Sequence, residues 1–147
     1  MISQTAEYAL RAIVYLADHP QQAHTADLIA QGTKVPVGYL AKVLQMLTRA
    51  RLVTSQRGLR GGFTLARDAA TLSVLEVIQA IEPVSRIHTC PLGINEHGSN
   101  LCPLHRHLDG CMAQIEATFK DLTIKTLISD PLASHPLCSV PPPAPRA

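Results

Sequence analysis

Between Thr33 and Ala66 the chain runs through an apolar-striped helix, a short strand, a glycine-rich basic turn and a return strand, and no other stretch restricts the fold as much. Leu40, Val43, Leu44 and Leu47 recur at i, i+3, i+4 and i+7, which lines one face of a helix at about 3.6 residues per turn. Pro36 suits its first turn. The other side carries Lys34, Tyr39, Lys42, Gln45 and Arg49, groups able to bond phosphates or base edges. Leu52, Val53 and Thr54 read as a strand, and Phe63, Thr64 and Leu65 as its antiparallel partner. The turn between them, Arg57-Gly58-Leu59-Arg60-Gly61-Gly62, has three glycines free to take positive φ and an arginine at each shoulder. The order is helix, strand, wing, strand.

Charge sharpens this reading. From Leu28 to Arg67 there is no Asp or Glu, while Lys34, Lys42, Arg49, Arg51, Arg57, Arg60 and Arg67 supply seven positive charges. The formal net charge of the whole is only +2, so the remainder is net −5. A near-neutral chain with its positive excess in one segment has the electrostatic footprint of a phosphate-backbone binder, and double-stranded DNA is the expected partner. A solvated basic face is the plainer alternative, but it leaves the helix-and-wing shape unexplained.

Around this segment the chain divides into four parts. Residues 1–83 read as a winged helix-turn-helix domain. Thr5 can cap a first helix with apolar Ala6, Ala9, Leu10, Ile13, Val14, Leu16 and Ala17. Thr25 can cap a second, through Gln31, with Leu28 and Ile29 inward and Gly32 as its C′ residue. His19 and His24 flank the connection and read as solvent-exposed. Ser73 and Glu76 form a capping-box pair ahead of a fourth helix that Pro83 stops. Residues 84–103 make a long Cys- and His-bearing loop, a length that suggests function or disorder. Residues 104–130 comprise a long helix and a short terminal helix that Thr123 can cap. Along the long helix Leu104, Leu108, Cys111, Ile115, Phe119 and Leu122 form a narrow seam, expected to pack against the same helix of a second copy, with folding back onto the chain's own winged domain as the alternative. Residues 131–147, with Pro141, Pro142, Pro143 and Pro145, read as a disordered or polyproline-like tail. The fold class expected is mainly α with a small β-hairpin wing.

At 147 residues with 46% apolar content the chain can bury a core, and with 3% aromatics and no Trp that core is aliphatic. No run approaches a membrane span, and the N-terminus does not read as a signal peptide, so a cytoplasmic location is expected. No phosphate-binding loop and no Ser/His/Asp-type arrangement is present, which argues against an enzyme.

Four cysteines in a reducing compartment point to metal binding, redox activity or burial before disulfides. Cys90, His97, Cys102 and His105 form a nitrogen and sulfur series sufficient for one metal, either zinc or iron–sulfur, and loop cysteines without metal are the alternative. Both loop cysteines precede proline, which biases them to extended backbone. Cys111 lies roughly 13 Å along the helix from Cys102 at ~1.5 Å per residue, too far to share a centre, and reads as a buried seam residue. Cys138 reads as an incidental thiol.

The chain resembles the bacterial winged-helix regulators typified by IscR and NsrR, from about Ile2 to Ser129. The resemblance is carried by Glu7-Tyr8-Ala9-Leu10-Arg11-Ala12, by Tyr39-Leu40 with Val43-Leu44 and Leu47, by Arg51-Leu52-Val53, by the wing Arg57-Gly58-Leu59-Arg60-Gly61-Gly62-Phe63-Thr64-Leu65-Ala66, and by Leu122-Thr123. It implies a homodimeric transcription factor, often a repressor, whose DNA affinity is switched by an iron–sulfur cluster or another redox signal. Cluster-binding members carry three cysteines at six-residue intervals in the loop. Here the first and last match Cys90 and Cys102, while Glu96, followed by His97, holds the middle position. His105 matches a position where a family member can use a histidine ligand, and Glu7 matches a carboxylate that in some members ligates the partner subunit's cluster. The resemblance alone places iron–sulfur ahead of zinc. The alternative function is a winged-helix regulator with a zinc site or no metal, sensing thiol oxidation or a partner protein.

Overall fold

The computed structural model describes residues 2–96 and 100–130. His97, Cys138 and the proline-rich residues 131–147 therefore lie outside the described residues. Helix α1 (Gln4–Asp18) is capped by Ser3, whose hydroxyl accepts the Ala6 N–H at 3.2 Å, so the cap falls two residues before the expected Thr5. Its face Ala6, Ala9, Ala12, Ile13 and Leu16 is almost wholly buried and forms the floor of the core.

Helix α2 (Ala26–Thr33) starts at the Thr25 cap as expected but runs past Gln31 through Gly32. Gly32 is not the terminator. A Cβ there would stand 2.2 Å from Cε2 of Tyr15, so the glycine lets α2 lie against α1. The left-handed residue that ends the helix is Lys34, φ 55°. Ile29 is buried, whereas Leu28 is 47% exposed and not inward, because the stripe of this short helix is Ile29, Ala30 and Thr33.

Helix α3 (Val37–Arg49) begins at Pro36, which is its N-cap residue, not a residue of its first turn. Leu40, Val43, Leu44 and Leu47 are fully buried, so the periodicity reads the inner face correctly. The helix closes in a Schellman arrangement: the Leu52 N–H donates to the Leu47 carbonyl and the Arg51 N–H to that of Thr48, each at 3.0 Å, with Arg51 left-handed at φ 59°.

Strands β1 (Val53–Gln56) and β2 (Gly62–Leu65) pair antiparallel with Val53 opposite Leu65 and Gln56 opposite Gly62. His24 adds a bridge on the outer edge of β2. Its N–H donates to the Phe63 carbonyl at 3.0 Å and its carbonyl accepts from Phe63 N–H at 2.8 Å. The expectation that His24 is exposed is thus wrong: the pairing draws it in to 5% exposure, with its ring edge-on to Tyr15. Gly62, φ 150°, is required at this crossing because a Cβ would meet the His24 carbonyl oxygen at 2.5 Å.

Helix α4 (Val74–Ile81) carries the full Ser73/Glu76 capping box. The backbone bond from Ser73 N–H, then the Arg67 guanidinium, draw the Glu76 carboxyl below the ordinary range. After an irregular loop, α5 (Pro103–Asp121) and α6 (Ile124–Ser129) follow. Helix α6 is part of the core made by α1 to α4. The Val74 N–H donates to the Leu122 carbonyl and the Ile124 N–H to that of Leu72, both at 2.9 Å, and Ile124 is 0% exposed. The seam of α5 is divided accordingly. Phe119 and Leu122 pack on the core, while Leu104, Leu108 and Ile115 remain exposed at 64%, 44% and 45%. Cys111, expected to be buried in that seam, is exposed on the single chain.

Candidate nucleic-acid interface and cysteine loop

The buried stripe of α3 turns its other side outward. Gly38, Ala41, Lys42, Gln45, Thr48 and Arg49 line one wall of an open cleft whose other wall is Ser55 and Phe63 of the hairpin. Lys42, Gln45 and Arg49, all exposed, are therefore brought together as expected, with the wing alongside them. Tyr39 is 44% exposed and stands edge-to-face against Tyr8 of α1 at 5.7 Å between centroids, at the mouth of the helix rather than in the cleft lining. Lys34 is exposed at the turn entering α3.

The wing turn is set by its backbone. The Gly61 N–H donates to the Gly58 carbonyl at 2.9 Å, which places Leu59 and Arg60 at the apex, with Leu59 fully exposed. Arg57 and Arg60 are exposed on either side of it. A helix beside a hairpin with cations on both is the shape that lies in a major groove and reaches the adjacent minor groove.

The α1 end of the interface is braced. The Glu7 carboxylate accepts from Arg11 Nε at 2.7 Å, and Arg11 also donates to the Thr33 carbonyl at 3.1 Å while its guanidinium lies over the Tyr8 ring. Sequence reasoning marks Glu7 and misses Arg11, although their spacing of four is the signal of a helical ion pair.

In the loop, Cys102 is the N-cap of α5 with extended backbone, φ −60° and ψ 162°, as its following proline dictates. Its Sγ lies 3.4 Å from Nδ1 of His105. Cys90 is half-buried at a turn closed by the Gly93 N–H on its carbonyl at 3.0 Å. Among the described residues no three His, Cys, Asp or Glu side chains are grouped to hold a metal, and Glu7 is engaged by Arg11. The described residues of a single chain thus present a sulfur–nitrogen pair, Cys102 and His105, with donor chemistry suited to iron or zinc. The loop is tied to α5 by a residue that the sequence does not mark: Arg86 donates to both Asp109 oxygens at 2.7 Å and to Glu116 at 3.2 Å, and Ile87 N–H donates to Asp109 at 2.8 Å. Those bonds, Arg86 first, bring the Asp109 carboxyl down to about 2.

Fold and interface define a winged helix-turn-helix protein of the DNA-binding class. The Rrf2 family, described as "Iron-dependent Transcriptional regulator", matches residues 2–130, and this chain belongs to that family, which is one of regulators and not of enzymes. It is 33% identical over 132 residues, 88% of this chain and 92% of the other, to an HTH-type transcriptional regulator of Aquifex aeolicus (strain VF5). Its fold is similar to that of T. potens IscR, with a TM-score of 0.74 and 22% identity over 88% of this chain and 87% of that one. It is also similar to CymR, the global cysteine regulator of B. subtilis, with a TM-score of 0.72 and 23% identity over 86% and 95% of the respective chains. No helix among the described residues is long and apolar enough to cross a membrane.

Proposed function

We propose that this protein is a cytoplasmic homodimeric transcriptional regulator, acting as a repressor, that holds double-stranded DNA between α3 and the wing and is switched through its Cys/His loop. The observation that carries the DNA-binding part is the cleft of Lys42, Gln45 and Arg49 facing the hairpin inside a segment with no acidic residue. Arg49 and Lys34 bond phosphates, Tyr39, Lys42 and Gln45 face the major groove, and Arg57 and Arg60 reach phosphates or the minor groove. Arg60→Ala tests it by DNA titration over a salt series. The slope of log K against log salt is expected to fall by about one unit for each phosphate no longer neutralised. Unchanged affinity with unchanged slope removes the wing from the interface.

The switch we assign to an iron–sulfur cluster held by Cys90 and Cys102, with His97 or His105, or Glu7 from the other subunit, completing the ligand set. The family's iron dependence and the Cys102–His105 pair support this. Such a group supplies a redox-sensitive link between the loop and α1, and no step of DNA binding above depends on it. Iron and acid-labile sulfide in protein purified without oxygen, abolished by Cys102→Ala, are the expected result. One zinc per chain, or metal-free protein whose DNA binding responds to thiol oxidants, would replace it with the alternative readings that the half-buried Cys90 and Cys102 and the exposed Cys111 also allow.

A further inference from the structure

The two turns that bracket α3 share an unusual feature. Lys34 at φ 55° and Arg51 at φ 59° are the non-glycine residues of positive φ among the described residues, and each occupies the left-handed position just past a helix, α2 and α3 respectively. Glycine is favoured at such a position because a side chain there crowds the neighbouring carbonyl oxygen. Both are instead exposed cations, and among the described residues no side-chain bond or ion pair engages either one. A cation can favour a helix C-terminus through the helix dipole; α3 already has Arg49 in its last turn for that purpose, whereas α2 has no basic residue in its last turn, so Arg51 carries the argument and Lys34 follows it. Left-handed strain kept without a partner in the fold calls for a partner outside it.

We infer that Arg51 is a DNA-phosphate ligand, retained in place of a more stable glycine, and that Lys34 is its counterpart at the other end of the reading helix. The inference rests on the DNA-binding reading above and adds a residue to it. Arg51 stands on the short link between the helix proposed for the major groove and the hairpin proposed for the minor groove. A phosphate strand separates those two grooves, and a long, always-charged side chain on the link is suited to grip it.

Glycine provides a test in which stability and binding move in opposite directions. Arg51→Gly is expected to melt at the same temperature as the parent or higher, since it relieves the backbone. It should bind a mixed-sequence DNA duplex roughly tenfold more weakly at low salt, with the salt slope reduced by about one. Arg51→Lys, which keeps the charge, should restore the slope, and Lys34→Gly should behave as Arg51→Gly does. Parental affinity and slope in Arg51→Gly overturn the inference, and a lower melting temperature with parental binding assigns Arg51 to the helix end alone. Arg60→Ala, measured in parallel, separates the levels. If it weakens binding while Arg51→Gly does not, only this inference fails; if neither does, the DNA interface itself is misplaced.

Discussion

A methyl group added at Gly32 has no space, since it would fall 2.2 Å from the Tyr15 ring and only a shift of the ring or of α2 could admit it. Gly32→Ala is therefore expected to destabilise the fold by about 1–3 kcal/mol, read as a lower thermal midpoint, despite alanine's better helix propensity. In the sequence Gly32 reads as a helix terminator, because a glycine near a helix end is equally good for either purpose and only the proximity of α1 decides. The same limit applies to His24. It sits between Ala23 and Thr25 in a connection, so nothing local shows that Phe63, far along the chain, will take up both its backbone groups. The apolar residues of α3 are legible because burial and period agree over about two turns, from Leu40 to Leu47. The polar residues opposite them follow as the remainder.

At the scale of elements, the wing is legible as a glycine-rich turn between two short strands, although β1 starts at Val53 and runs on to Gln56, past the expected Leu52–Thr54, and Gly62 joins the return strand instead of the turn. The capping box of α4 is equally plain, and Ser73→Ala should cost about 1 kcal/mol of unfolding free energy in a denaturant titration. The place of α6 is hidden. Its six residues carry too short a pattern to show which core they join, and it is the backbone ties to Leu72 and Val74 that fix it. Ile124→Ala should accordingly destabilise the whole winged unit by about 2–5 kcal/mol, lowering one cooperative transition instead of fraying the end. The Arg86–Asp109 bond is also beyond the sequence, joining residues 23 apart through an irregular loop. Because the Asp109 carboxyl is held at about 2, its contribution to stability is fully present above the ordinary carboxylate range. It should disappear only as pH falls from there through about 2. Hydrogen exchange of the Ile87 amide should thus stay protected at mildly acidic pH and become fast in Asp109→Ala.

For the whole molecule, the exposed Leu104, Leu108 and Ile115 leave an apolar strip along α5 that the rest of the described chain does not cover. A second copy of the helix would bury it, so the parent should sediment as a dimer at micromolar concentration and Ile115→Asp as a monomer. A parent monomer would reassign the strip. That the strip stops short of Phe119 is invisible in the spacing, because the heptad pattern continues through residues that the chain's own core takes up.

That division makes α5 a boom stepped at its foot. Phe119 and Leu122 hold the lower end in the core, the upper end carries Cys102 and His105, and Arg86 guys the middle at Asp109 and Glu116. Nineteen residues give it a length of about 28 Å, so a tilt of about 10° at the foot swings the head by roughly 5 Å. The reach runs in both directions. A small pull on the head would be multiplied by the same arm and reach the foot at Leu122, whose carbonyl accepts the Val74 N–H at the start of α4.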